Sequence, residues 1–191
     1  MKSRKNNKIL KVLKAIGIGG MVLMALSHPA GGAAAIKWVN GASDRKKFKI
    51  QRAEFLKALW YLKKRKYVEV LEQNNQFIKI KISGSGIERI RRFDFDNLRI
   101  EPMRKWDKRW RIVLFDIPDT KKVAREALRR KLKELGFQRL QKSVFVCPWE
   151  CVDEIIFLRK FFEIEPYVSI ILAEAIDNEA AVYRKFDLST A

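Results

Sequence analysis

The sequence contains little of the chemistry on which most metalloproteins and hydrolases depend. Among 191 residues there are one histidine, His28, and two cysteines, Cys147 and Cys151. One histidine excludes most histidine-based zinc sites and catalytic triads, and two cysteines four residues apart form neither a disulfide framework nor a complete zinc site. The glycine-rich residues 17–20 lack the lysine of a phosphate-binding loop and do not follow a predicted strand. We therefore expect no cofactor.

The charge of the chain is concentrated in its first half. The composition is that of a globular protein, with 48% hydrophobic and 33% charged residues, and the formal net charge is +19. Residues 1–105 contain 25 Lys and Arg against 8 Asp and Glu, whereas residues 106–191 contain 16 against 14. This asymmetry predicts a polyanionic partner for the first half alone.

The first residues have two competing interpretations. Six basic residues within 2–14, an uncharged apolar run over 15–26 and alanines at 33–35 have the outline of an export signal. Alternatively, Ile9, Leu13 and Ile16 form the apolar face of an amphipathic helix. The two cysteines and the cationic surface suit a reducing compartment rich in nucleic acid, so we expect a cytoplasmic protein without stable membrane association. An exported or membrane-tethered cationic protein is the alternative.

The first half has the element order of a winged helix-turn-helix. We predict a first helix that carries Ile9, Leu13 and Ile16 and whose apolar run includes residues 17–20, a short second helix over 30–39 and a third over 50–66. The third has Phe55, Leu56, Leu59 and Leu62 on its apolar face. A β-hairpin over 67–71 and 77–82 and a short helix over 87–92 follow. In a winged helix-turn-helix the third helix enters the major groove and the hairpin contacts DNA beside it.

The candidate DNA-binding residues lie in a basic cluster, on the exposed face and end of the third helix, and in the hairpin. Lys and Arg neutralise phosphates, and Tyr and Asn donate hydrogen bonds to phosphates or base edges. Each lysine alone is better explained as a solvated surface residue or as protection of an edge strand. Together they favour double-stranded DNA as partner: Arg45, Lys46, Lys47, Lys49, Lys57, Tyr61, Lys64, Arg65, Asn74, Asn75, Lys79 and Lys81.

The second half predicts a ferredoxin-like βαββαβ domain, so that the whole chain is of the α+β class. Strands are expected over 109–117, 137–140, 143–147 and 167–176. Helices are expected over 121–135, capped by Asp119 or Thr120, and over 150–162. We divide the chain into a winged helix-turn-helix over 1–92, a linker over 93–108, the ferredoxin-like domain over 109–178 and a tail over 179–191. The two helices cover one sheet face, and we expect a second copy to cover the other through Ile112 and Leu114.

Three segments of the second half resemble the PaaX-type transcriptional repressors: residues 110–118 (WRIVLFDIP), 132–137 (LKELGF) and 141–146 (QKSVFV). Those proteins join a winged helix to a central domain similar to the small CRISPR-associated adaptation nuclease. The resemblance implies a dimeric DNA-binding transcription regulator, a repressor, in which the central domain spaces two winged helices. We expect a compact form without the further C-terminal domain of that family.

The resemblance also implies an alternative function centred on Asp116. In the CRISPR-associated nuclease an aspartate at the end of the first strand is the proposed metal ligand, paired with its copy across the dimer, and Asp116 matches that position. A metal-dependent nuclease holding Mg²⁺ or Mn²⁺ is thus the alternative to a DNA-binding regulator. We favour a structural Asp116 in a turn before Ile-Pro and expect no catalytic activity.

Overall fold

The fold comprises two compact units, Met1–Asp94 and Phe95–Ala191, each built on an antiparallel sheet. The computed structural model describes residues 9, 10, 12–14, 16, 21–25, 36–39, 52–73, 77–177 and 179–188. Helices and antiparallel strands occur in both units, which confirms the predicted α+β class.

The first unit is built on a four-stranded sheet. Its described residues between 9 and 16 are helical. The strand order is β2-β1-β4-β3, with antiparallel neighbours throughout. The elements that follow the first helical residues are β1 (Met21–Ala25), β2 (Ile36–Val39), α1 (Arg52–Lys64), β3 (Val68–Gln73), β4 (Phe77–Ile82) and α2 (Gly84–Asp96).

Two details of this sheet correct the sequence prediction. Residues 36–39, predicted to end a short helix, form β2, and three of these four residues are β-branched or aromatic, the types enriched in strands. β4 pairs with β1 as well as with β3, so its lysines do not protect an edge strand. The predicted helix over 30–35 lies outside the described residues. The winged helix-turn-helix therefore stays a prediction.

The core of the first unit follows the predicted periodicities. Ile78, Ile80 and Ile82 are buried at every second position of β4, as the alternating pattern predicted. Phe55 and Leu62 are buried on α1. Leu56, predicted on the same face, is 39% exposed because it lies at the flank of that face.

A small set of hydrogen bonds ties the end of α1 to the start of α2. Lys66 has a positive φ of 57° and turns the chain out of α1. Its carbonyl accepts hydrogen bonds from the hydroxyls of Ser83 and Ser85, each at 2.6 Å. Gly86 donates its backbone N–H to Ser83 Oγ at 3.1 Å, which caps the helix. α2 consequently begins at Gly84, earlier than the predicted helix over 87–92.

Gly86→Ala is expected to lower the free energy of unfolding of the first unit by about 2 kcal/mol, because the site has no room for a side chain. A Cβ at Gly86 would lie 2.1 Å from Tyr67 O and 2.8 Å from Ile82 Cγ1. Urea denaturation measures the loss. Gly84→Ala is the matched control, since a Cβ there meets nothing within 4 Å, and alanine favours the helix. Equal stabilities of the two variants would contradict the prediction.

The second unit has the predicted βαββαβ order. Its strand order is β6-β7-β5-β8, all antiparallel, which is the arrangement of a ferredoxin-like sheet. Turns of 3₁₀ helix cover Asp119–Lys121 and Glu165–Tyr167. The elements are β5 (Trp110–Phe115), α3 (Lys122–Glu134), β6 (Gln138–Gln141), β7 (Val144–Cys147), α4 (Val152–Phe161), β8 (Val168–Ala173) and α5 (Glu179–Phe186).

The two faces of this sheet are covered differently. Leu128 and Leu132 of α3 and Ile155 and Leu158 of α4 belong to one core with Phe145 of the sheet. The other face was predicted to lack a helix, and this is wrong at one end. Here α5, which lies in the predicted tail, buries Val182 in a cluster with Trp110 and Val146. Ile112 and Leu114 remain half-buried on this second face.

One buried arginine joins three segments of the second unit. Arg111 is 2% exposed and donates two hydrogen bonds of 2.7 Å to the carboxylate of Asp107. It also donates to the carbonyls of Arg109 and Pro148 and to Glu150 Oε2, each at 2.9 Å. These hydrogen bonds with the guanidinium lower the pKa of Asp107 and of Glu150. We call Arg111, Asp107 and Glu150 the arginine clamp.

Candidate nucleic-acid interface

The solvent-facing side of α1 carries two of the predicted DNA-binding lysines and a tryptophan. Lys57 and Lys64 are exposed, opposite the buried Phe55 and Leu62. Trp60 is 63% exposed, and Lys64 Nζ lies 4.9 Å from its ring centroid. We call Lys57, Trp60 and Lys64 the α1 face.

Trp60 was absent from the candidates drawn from the sequence. Its position was nevertheless readable, because it lies three residues after Lys57 and four before Lys64, the spacing of neighbours on one helix face. An exposed tryptophan presents a large flat apolar surface together with an N–H donor, which suits contact with a partner.

Tyr61 and Arg65 form a second pair at the side of α1. Tyr61, predicted to be exposed, is half-buried and packs against the core of the first unit. The prediction was wrong because Tyr61 lies about 40° around the helix from Lys57, toward the buried face. Arg65 is exposed and lies over the Tyr61 ring at 5.6 Å from its centroid.

The two hairpin lysines lie on β4, opposite acidic residues. Lys81 is exposed and faces Glu69 across the β3–β4 ladder, and the half-buried Lys79 faces Glu72. Opposite charges at directly paired positions stabilise the hairpin and reduce its local positive potential. The α1 face is thus the stronger cationic surface of the two.

Six of the predicted contacts cannot be placed in this way. The basic cluster and the two asparagines of the hairpin turn lie outside the described residues: Arg45, Lys46, Lys47, Lys49, Asn74 and Asn75.

Asp116 lies directly after β5 and is exposed. Its backbone N–H donates to Tyr167 O at 3.0 Å. Its carboxylate makes no hydrogen bond or ion pair with any residue that the structure describes. The neighbouring Asp119, predicted to cap α3, instead accepts a hydrogen bond of 2.7 Å from Arg125. Lys121 at the N-cap makes no side-chain capping bond.

The described residues offer few metal ligands. No group of three or more His, Cys, Asp or Glu side chains that could hold a metal occurs among them. Asp116 would supply one carboxylate per chain, and Mg²⁺ sites in proteins use one or two carboxylates together with waters and substrate phosphates. A copy across a dimer would supply the second. Cys147 and Cys151 are buried, and their mutual hydrogen bond, together with burial, raises the pKa of the Cys151 thiol.

A comparison with protein families finds a match within the second unit. Residues 103–182 match the family model of the PaaX protein central Cas2-like domain. A search of curated proteins finds no match to the chain. Among the helices that the structure describes, none is both long and apolar enough to span a membrane. The match agrees with the sequence resemblance to the PaaX-type proteins, and at a coarse level it suggests a transcription regulator.

Proposed function

We propose that the chain is a transcription regulator, a repressor, that binds double-stranded DNA as a homodimer through the first unit. The observation that carries the proposal is the α1 face. Two lysines and a largely exposed tryptophan share one side of a helix whose other side is buried, and this helix directly precedes a hairpin. A helix so placed presents cations to phosphates and an aromatic edge to a groove.

The proposed dimer uses the second face of the ferredoxin-like sheet. Ile112 lies opposite Ile171 in the β5–β8 register, and Ile171 is 48% exposed. Together with Leu114 these side chains leave an apolar area beside the end covered by α5. A second copy would bury this area and space two first units on the duplex. Light scattering at micromolar concentration tests the dimer, and a monomeric mass would contradict it.

The alternative, a metal-dependent nuclease, rests on the exposed Asp116 carboxylate. Because no described residue binds it, two copies across a dimer would be available to hold Mg²⁺ or Mn²⁺. We favour the regulator, since one carboxylate per chain is a small ligand set and likeness of fold does not establish activity.

One gel assay tests the regulator against the nuclease. Wild-type protein and Asp116→Ala are incubated with duplex DNA and Mn²⁺. We expect both to give the same shifted, uncut band, because the proposed contact lies on α1 and not at Asp116. Cleavage by the wild type that is lost in Asp116→Ala would establish the nuclease. No shift by either protein up to micromolar concentration would contradict DNA binding.

A further inference from the structure

The second unit is nearly neutral in sum, yet five of its cationic side chains line one groove. The groove has a volume of about 570 Å³ and is lined by α3, β6, the turn after β6, and Phe145 of β7. Five cationic side chains surround it: Arg129, Arg130, Lys133, Arg139 and Lys142. We call it the α3–β6 groove.

Both acidic residues that line the groove are already neutralised. Glu126 forms an ion pair with Arg129. Glu134 Oε2 lies 3.5 Å from the Nζ atom of Lys131, which is only 4% exposed. The two carboxylates therefore do not compensate the remaining cations.

Arg129 positions the turn that completes the groove. Its Nε donates to the carbonyl of Lys142 at 3.1 Å, and its Nη2 donates to Ser143 Oγ at 3.3 Å. The guanidinium also lies over the Phe115 ring at 5.6 Å from the centroid. These contacts hold the turn after β6 beside α3, so that the cations of both elements line the same groove.

Four cations remain for a ligand. Arg130, Lys133, Arg139 and Lys142 are exposed, and their side chains make no hydrogen bond or ion pair with residues that the structure describes. Arg130 and Lys133 are three residues apart, so they are neighbours on α3. An open groove edged by exposed, unpaired cations from α3, β6 and the turn after β6 suits an extended polyanion, because each phosphate that it neutralises releases condensed counterions.

We propose that the α3–β6 groove binds the phosphodiester backbone of duplex DNA, as a second contact in addition to the α1 face. The inference rests on the proposed function, since it assigns a further surface to the same ligand. In this proposal the second unit contributes directly to the affinity for DNA, in addition to its proposed role in holding two copies together. The contact is to backbone and carries no base specificity.

The test is the salt dependence of DNA binding by the full-length chain. Arg130→Gln with Lys133→Gln removes two charges while keeping good helix-forming residues at exposed positions. Fluorescence anisotropy with a labelled duplex of about 25 base pairs, from 50 to 300 mM salt, gives the slope of log affinity against log salt. We expect the slope to become shallower by about 2 for each copy of the chain on the duplex and the affinity at 150 mM salt to fall roughly tenfold or more.

The matched control is Arg184→Gln with Lys185→Gln. Both residues are exposed on α5, which packs on the other face of the sheet, and the change in net charge is the same. The control is expected to keep the wild-type slope. A wild-type slope in the groove variant, or an equal change in the control, would overturn the proposal.

A third variant separates this proposal from the proposed function. Lys57→Glu with Lys64→Glu alters only the α1 face. If that variant loses affinity and the groove variant does not, the groove proposal fails and the DNA-binding function stands. If only the groove variant loses affinity, the groove contact stands and the role of α1 fails. Binding of single-stranded RNA alone, or no binding to any nucleic acid, overturns both.

Discussion

Replacing Lys57 and Lys64 together by glutamate is expected to reduce affinity for duplex DNA at least about 100-fold at 150 mM salt, or about 2.7 kcal/mol. Two cations at the centre of the α1 face become two anions, so attraction to phosphate is replaced by repulsion. Both side chains are exposed and lie opposite the buried face of the helix, which leaves the core intact. Titration of a labelled duplex measures the affinity, and circular dichroism verifies the fold.

The control for that variant keeps the charge change and moves it to another helix. Arg91→Glu with Arg92→Glu alters two exposed residues of α2 in the same unit. We expect this control to lose less than about tenfold, from the change in overall charge alone. An equal loss in both variants would mean that binding depends on net charge and not on the α1 face. Undiminished affinity in Lys57→Glu with Lys64→Glu would reject that face as the contact.

Removing the guanidinium of Arg111 is expected to destabilise the second unit by about 3 kcal/mol, which lies at the low end for breaking a buried ion pair. Arg111→Met leaves the carbonyl of Pro148 without the Arg111 donor, removes one of the two donors to the carbonyl of Arg109, and removes the cation that pairs with Asp107 and Glu150. The low end applies because the side chains of Asp107 and Glu150 are 32% and 58% exposed, so water screens them. Urea denaturation measures the loss, and hydrogen exchange should locate it in β5 and β7.

Two comparisons make the clamp prediction specific. Arg99→Met replaces an exposed arginine whose hydrogen bonds go only to nearby carbonyls, and it is expected to change stability by less than about 0.5 kcal/mol.

The effect of Arg111→Met should also depend on pH. Arg111 lowers the pKa of Asp107 and Glu150 in the folded state, whereas both are near 4 in the unfolded chain. The stabilisation that Arg111 gives through these two carboxylates is thus complete above about pH 5. It is lost as the pH falls through the lowered pKa values that Asp107 and Glu150 have in the folded state. A penalty that is the same at pH 3 and pH 7 would contradict the clamp.

Local periodicity in the sequence was sufficient for the elements that bury one face. Ile78, Ile80 and Ile82 alternate with lysines, and Phe55, Leu59 and Leu62 recur at helical spacing, so β4 and α1 were predicted close to their observed bounds. Gly136, predicted to end α3, has a φ of +90°, which glycine adopts without strain. The βαββαβ order of the second unit followed from the same reasoning.

Elements without a distinct period were missed. β1 lies within a run that has no charged residue, and such a run fits a strand, a helix or an export signal equally well. The helix α5 has only eight residues and lies where the sequence predicted a tail. Its role depends on a contact between Val182 and Trp110, which are far apart in sequence.

In the candidate site, too, the residues that share one helix face were predictable from the sequence, and the surface formed by contacts between elements was not. Lys57 and Lys64 were identified by their spacing on one helix, and Trp60 was identifiable by the same rule. The α3–β6 groove was not, because its four unpaired cations emerge only after Glu126 and Glu134 have found their partners in space. The net charge of the second half is close to zero and therefore does not reveal that these four cations are unpaired while the two carboxylates are paired.

The strand order of the second unit also determines when this unit can fold during synthesis. β5 is a central strand, but its two neighbours, β7 and β8, are made later, and Trp110 pairs with Ala173. On the ribosome β5 therefore emerges with both edges unpaired, and they stay unpaired until nearly the whole domain has been synthesised. Such long-range strand pairing is slow, and the unpaired edges are prone to aggregation. The sheet of the first unit is complete once Ile82 has emerged. The chain thus has its proposed DNA-reading unit in place before the domain that would pair two copies can form.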